Sequence, residues 1–256
     1  MSDNPLPMHM TLLYTSRLRG RIDGLPRLFS LLQRERAAAA RISSTVIVLD
    51  LGESCVRDAW LCEATAGRAL LVAMDAFGTD GFYLDRADPL SDDPQVLGKL
   101  RAVIVTPVFS EDQPLTFNKR IINADSDTTQ PICVSGWDTT LPTNMTNVPY
   151  ALTIRVSRHI PNSDTVRYDP QYDPDSQTLW VADPDEAGSE SVGMTLGRIT
   201  FARYSRELFQ ITHQRLLVTP DLPPDPTVSG VVDFVLAEAG YAARNASRPG
   251  QSRPPT

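Results

Sequence analysis

The sequence predicts an α/β protein built on a parallel sheet, with a β-rich, loop-rich second half. Three observations carry that expectation. Strand and helix patterns alternate (strand, helix, strand, helix, strand) within the first 84 residues, the order that makes parallel sheets with right-handed crossovers. Beyond residue 88 the chain is rich in proline and short apolar runs, with no helical period of useful length. A proline-studded connector then leads to one last helix with an apolar face.

Residues 10–15 (Met-Thr-Leu-Leu-Tyr-Thr) read as a short buried strand ending at the polar turn Ser16 to Asp23. Gly24 opens a helix in which Leu25, Leu28, Phe29 and Leu32 fall at i, i+3, i+4 and i+7, while Arg27, Gln33, Arg34 and Arg36 take the other faces. Ala37 to Ala40 continue it with the strongest helix former. Thr45-Val-Ile-Val-Leu49 is a continuous β-branched run, the pattern of a strand covered on both faces. Asp58 to Phe77 reads as one second helix with Gly78 as its C-cap, and Gly81 to Leu84 as a third short strand.

In the middle third, apolar runs at 102–108, 132–134 and 150–156 predict strands. The Pro-, Asp-, Asn-, Ser- and Thr-rich segments 110–131, 136–149 and 157–177 predict loops. Leu196 to Tyr204 and Phe209 to Val218 predict a hairpin around Ser205-Arg206-Glu207. Thr219 to Pro226 is a stiff, extended connector, because each proline disfavours α conformation in the residue before it. Asp225 and Pro226 fit the N-cap and first position of a final helix, whose apolar face is Val228, Val231, Val232 and Val235. The chain reads as a single domain over 1–243, with 244–256 having the composition of a disordered tail.

Composition narrows the function classes. A net charge of −7 argues against a general nucleic-acid or anionic-membrane binder. No stretch approaches the roughly 20 apolar residues of a bilayer span, and residues 1–10 lack the basic residue and apolar run of a secretory signal. Cys55 and Cys62 lie seven apart and can share a helix face. With Cys133 they make an odd count without paired metal spacing. Buried free thiols in a reducing compartment, and so a cytoplasmic location, are the expectation.

In a parallel α/β sheet, functional residues gather in loops at the carboxyl ends of strands. Three such loops can be read: Ser16-Arg17-Leu18-Arg19-Gly20, Asp50-Leu51-Gly52-Glu53-Ser54 and Asp85-Arg86-Ala87-Asp88. Here the chain resembles the calcineurin-like metallophosphoesterase superfamily, particularly bacterial 5'-nucleotidases. That family carries Asp-x-His-Gly, Gly-Asp and Gly-Asn-His-Glu after its first three strands. Tyr14 to Ile22 is similar to the first block, with Arg17 at the Asp and Arg19 at the His. Val48 to Ser54 is similar to the second, with Glu53 at the metal-bridging Asp. Gly67 to Asp88 resembles the approach to the third, where Asp85 and Arg86 replace Gly-Asn, Ala87 the catalytic His and Asp88 the Glu. Leu196 to Thr200 and Leu216 to Pro226 look like the closing strands and connector of the same domain. The resemblance implies a four-layer α-β-β-α sandwich with a shortened, loop-rich second half.

It also implies that the family's dinuclear metal site is lost, and a simple count agrees. Two cations and a bridging water need several histidines and carboxylates. The chain has only His9, His159 and His213, none in a His-x-His pair. Arginine keeps its proton at any relevant pH and cannot replace a metal ligand.

Two readings of the replacements stand side by side. Arg17, Arg19, Arg21 and Arg86 can form a metal-free cationic pocket for a phosphate or nucleotide. Alternatively they pair with Asp50, Glu53, Asp85 and Asp88 and neutralise an old acidic pocket. Asp50, Glu53 and Asp88 are candidate oxygen ligands for a single Mg²⁺ or Mn²⁺, though adjacent arginines oppose it. Ser16 and Ser54 have no nearby histidine to activate them. Trp60, Trp137 and Trp180 are widely spaced and read as packing residues. The expected function is a degenerate, catalytically inactive 5'-nucleotidase-like protein that binds an anion or nucleotide or acts as a scaffold. A phosphate or nucleotide ligand or a protein partner is expected, with no cofactor, nucleic acid or membrane. The alternative is a metal-dependent phosphoester hydrolase with a rebuilt site.

Overall fold

The computed structural model describes residues 8–84, 89–102, 104–110, 113–123, 126–136, 152–157, 169–182, 193–205 and 207–246. Its first half contains β1 (Met8–Thr15), α1 (Leu25–Ala39), β2 (Thr45–Asp50), α2 (Trp60–Thr65), α3 (Arg68–Asp75), β3 (Gly81–Tyr83), α4 (Pro94–Arg101) and β4 (Val108–Phe109). There follow β5 (Leu115–Asn123), β6 (Ser126–Gly136), β7 (Leu152–Ser157), β8 (Gln171–Asp173), β9 (Thr178–Ala182), β10 (Thr195–Arg203), β11 (Phe209–Leu217) and α5 (Pro226–Ala246).

Two sheets face each other. The first has the order β11-β10-β1-β2-β3-β4, with β1 to β4 parallel and the β10–β11 hairpin antiparallel beside β1. The second has the order β5-β6-β7-β9-β8, a parallel centre with antiparallel edges. β1 is buried along almost its whole length because it is covered on both faces. Met8, Met10, Leu12 and Tyr14 pack between the sheets, and Leu13 packs toward the helices. The helix layer closes the outer face of the first sheet with Leu25, Leu28, Leu32, Leu70, Met74, Phe77, Val228 and Val235. Among the described residues every helix with a buried face packs on the first sheet, so the second helix layer of the expected four-layer α-β-β-α sandwich is not seen among them.

Polar ties fix the layers. Arg198 on β10 donates to the buried carboxylate of Glu35 on α1 at 2.9 Å. A Cβ at Gly197 would fall inside the ring of Tyr14, so only glycine lets that ring lie across β10. The Tyr14 hydroxyl then reaches His213 Nε2 on β11 at 2.7 Å. Asp225 caps α5 by accepting the Val228 N–H at 3.0 Å.

The structure corrects several expectations. The second helix is two helices, α2 and α3, broken where Ala66 (φ 48°) and Gly67 (φ 80°) take left-handed conformations. Cys55 and Cys62 are not free thiols and do not share a helix face. Cys55 lies on the loop entering α2, Cys62 lies within α2, and the two form a disulfide with Cα atoms 5.7 Å apart. Folding the incoming loop back against a short helix supplies a closeness that an unbroken helix denies. Only Cys133 is free, and it is buried. The inference of a reducing compartment therefore loses its basis.

In the middle third, the run 102–108 is not a strand, and only Val108 and Phe109 join the sheet, as β4. A helix stands just before it: Asp93 caps α4 by accepting the Val96 N–H at 3.0 Å, with Pro94 at the first turn. The segment 110–131, read as loop, contains β5 and the start of β6, and 157–177 contains β8. At the C-terminus the final helix runs on to Ala246, and residues 247–256 lie outside the described residues.

Candidate functional site

β1 and β2 end side by side in parallel register, with Thr15 opposite Asp50. Their following loops are zipped together by main-chain hydrogen bonds. Leu51 N–H donates to Thr15 O at 2.8 Å, Arg17 N–H to Gly52 O at 2.9 Å, Arg19 N–H to Glu53 O at 3.1 Å and Gly20 N–H to Ser54 O at 2.9 Å. Such alternation requires unusual backbone. Arg17 (φ 51°), Arg19 (φ 49°) and Glu53 (φ 51°) are left-handed, as are Gly20 and Gly52. Among the described residues, three of the five non-glycine residues with positive φ sit in these two loops. Each costs about 1–2 kcal/mol, and strain of this kind clusters at functional sites.

The loops are also braced from behind. Gly20 packs so closely that an added Cβ would meet Ala59 Cβ at 2.7 Å and Cys62 Sγ at 3.3 Å. The Cys55–Cys62 disulfide thus stands directly behind the arginine loop.

Asp50 is 1% exposed and its carboxylate is enclosed by short-range donors. Oδ2 accepts from the Thr15 and Ser54 hydroxyls, each at 2.7 Å, and Oδ1 from the Gly52 N–H at 3.1 Å. Glu53 lies nearer the surface between two arginines, with Arg19 Nη2 at 3.2 Å and Arg17 Nε at 3.8 Å from Oε2. Arg21 folds back over its own loop, donating to the carbonyls of Leu18 and Arg17 at 3.2 Å each. A carbonyl satisfies a guanidinium donor without cancelling its charge.

The structure therefore brings Arg17, Arg19, Arg21, Asp50 and Glu53 together. Arg86, Asp85 and Asp88 lie outside the described residues, as does His159. His9 lies on β1 against the ring of Tyr204, and His213 lies on β11, hydrogen-bonded to Tyr14. Among the described residues no three His, Cys, Asp or Glu side chains converge as a metal cluster would, and no helix is long and apolar enough to cross a membrane. Sequence reasoning missed Thr15 and Ser54 as the partners of Asp50. Their signal was position: one closes β1 beside Asp50, and the other follows Asp50 by four residues.

No protein-family model matches the chain, and no curated protein matches it. Among solved structures, the fold is similar to that of Haemophilus influenzae NAD nucleotidase (NadN), with a TM-score of 0.57 and 11% identity. The match covers 95% of this chain and 62% of the NadN chain. TT1561 of Thermus thermophilus aligns over 82% of this chain and 99% of its own, with 9% identity. Its TM-score of 0.45 gives it no weight. At 11% identity the likeness to NadN shows the fold alone.

Proposed function

We propose that this chain is a degenerate 5'-nucleotidase-like domain that binds an anionic phosphate group, free or on a nucleotide, without hydrolysing it. The observation that carries the reading is the disposition of the two carboxylates after β2. Asp50 is enclosed by Thr15, Ser54 and the Gly52 amide, and Glu53 is held between Arg17 and Arg19. A divalent cation drawn to either would have to displace hydrogen bonds and face fixed positive charge.

At the surface two guanidinium groups, Arg17 and Arg19, share the single carboxylate of Glu53, while Asp50 is buried. Arg21, whose turn ends at the exposed Asp23, donates to main-chain carbonyls. Guanidinium groups set side by side suit the paired oxygens of a phosphate, which favours an anion over simple neutralisation. The left-handed backbone at Arg17 and Arg19 is preset, so a ligand need not order the main chain there. Nucleotides are the ligands to test first, because the fold resembles that of a protein named for acting on NAD. The disulfide favours an oxidising surrounding over the cytoplasm.

The test is calorimetric titration of the purified chain with inorganic phosphate and with mono- and dinucleotides, beside a phosphoester hydrolysis assay containing Mg²⁺, Mn²⁺ or Zn²⁺. Binding that disappears in Arg17→Ala/Arg19→Ala supports the reading. Absence of binding by the wild type rejects it. Metal-dependent turnover abolished by Glu53→Ala would reject it in favour of a rebuilt hydrolase.

A further inference from the structure

The arginine loop and the Cys55–Cys62 disulfide share one closed frame. The Gly20 N–H donates to the Ser54 carbonyl at 2.9 Å, and Ser54 leads directly into Cys55. The disulfide carries the frame across to Cys62. It closes on Gly20, where an added Cβ would meet Cys62 Sγ at 3.3 Å and Ala59 Cβ at 2.7 Å. Ala59 lies between the two cysteines in sequence, so both residues that abut Gly20 belong to the disulfide ring.

Local structure does little to hold that ring without its bond. α2 is six residues long, has no side-chain cap at its start and ends at Ala66 in left-handed conformation. A helix so short does not sustain itself. Leu61 and Cys62 root it in the helix-side core. The stretch before it is one turn, closed by the Ala59 N–H on the Val56 carbonyl at 3.2 Å, with Arg57 and Asp58 exposed. Opening the bond therefore releases the Cys55 side of the ring from the rooted Cys62 side, and the Gly20–Ser54 rung loses its backing.

We infer that the redox state of Cys55–Cys62 governs the arginine loop: the disulfide holds Arg17 and Arg19 in their binding form, and reduction by a dithiol releases them. The effect on affinity rests on the anion reading given above; the effect on the loop does not. In the exchange, a thiolate of the dithiol attacks one cysteine sulfur and forms a mixed disulfide, and the other cysteine leaves and takes a proton. The second thiol of the reductant then displaces the first cysteine. Two electrons and two protons pass to the protein, and the reductant ends as a disulfide. Both cysteines are buried, so the attack follows local opening of the ring segment. Linkage makes the coupling reciprocal: the factor by which reduction weakens phosphate binding is the factor by which bound phosphate resists reduction.

Hydrogen exchange of the full chain, oxidised and after dithiothreitol, tests the loop without any ligand, with bond opening verified by thiol titration. The Arg19 and Gly20 amides, which donate to Glu53 and Ser54, should lose protection on reduction. Leu12 and Leu13 in the doubly covered β1 should stay protected. Loop amides that keep their protection overturn the inference. So does loss at all four positions, which marks general unfolding. Calorimetric titration with inorganic phosphate should show binding at least about fivefold weaker after reduction. Cys55→Ser/Cys62→Ser should match the reduced chain without reductant. Equal affinity in both states overturns the coupling to the site. An oxidised chain that binds no phosphate rejects the anion reading and the affinity effect with it, while the exchange result still decides whether the disulfide governs the loop.

Discussion

Arg19 and Glu53 are joined twice. The Arg19 amide donates to the Glu53 carbonyl at 3.1 Å, and its guanidinium reaches the Glu53 carboxylate at 3.2 Å. Both residues hold left-handed backbone, which puts the amide of one against the carbonyl of the other. The side-chain bond is the weaker member, because Arg19 is substantially exposed and surface ion pairs contribute about 0–1 kcal/mol.

That division of labour makes Arg19→Gly informative. The substitution relieves a strained φ of 49°, a gain of about 1 kcal/mol, and loses a surface ion pair of similar or smaller size. Stability in urea should stay level or rise by up to about 1 kcal/mol, while phosphate binding weakens. A large loss of stability would show that the side chain, not the main chain, holds the loop.

Gly20→Ala should do the opposite. Its φ of +78° and the 2.7 Å approach to Ala59 leave no place for a methyl group. The expected cost is about 2 kcal/mol from backbone strain and overpacking together, read from the shift of the urea midpoint at unchanged slope.

Asp50 organises the floor of the site through the Thr15 and Ser54 hydroxyls and the Gly52 amide. Asp50→Ala strands these donors in a dry place and should cost about 3 kcal/mol, whereas Ser54→Ala, which removes one donor, should cost about 1 kcal/mol. Equal losses for the two would place the role of Asp50 elsewhere.

Reduction of Cys55–Cys62 opens a short loop and should lower stability by about 2 kcal/mol on chain-entropy grounds. Thiol titration checks the pairing directly. Unfolded without reductant, the chain should show one reactive thiol from its three cysteines, and all three after reduction.

Burial pushes the Cys133 thiol up from 9.0 to about 11, against a smaller opposing pull from Arg155. The native state therefore keeps its proton where the unfolded chain begins to lose one. The contribution to stability is whole below pH 9.0 and fades as pH rises toward about 11. Cys133→Ala should flatten that alkaline decline, and native Cys133 should resist alkylation near pH 8. A decline of unchanged slope in the variant would assign it to other groups.

β1, α1, β2 and β3 were legible because each carries its own pattern, such as the β-branched run of β2 and the leucine stripe of α1, as does the Asp225-Pro226 start of α5. What escaped was set by long-range pairing. β5 is polar along much of its length and becomes a strand by pairing with β6 over nine positions. α4 was missed although Asp93-Pro94 marks its start, since eight residues hold too few apolar positions to show a period. At the site, the first two loops were read from strand ends alone, and the meeting of Arg17, Arg19 and Glu53 followed from register. The third loop, Asp85 to Asp88, lies outside the described residues. The disulfide was not legible, because Cys55 and Cys62 meet only where the loop before α2 folds back against that helix.

The zipped loops have a use in engineering. Main-chain groups draw their path, from Leu51 to Thr15 and on through Gly20 to Ser54. The side chains at 17, 19 and 53 are then attachments on a fixed rail, exchangeable without redrawing the loop. A library randomised at those three positions would present varied chemistry on one backbone, with asparagine, aspartate and glycine the easiest occupants where φ is positive.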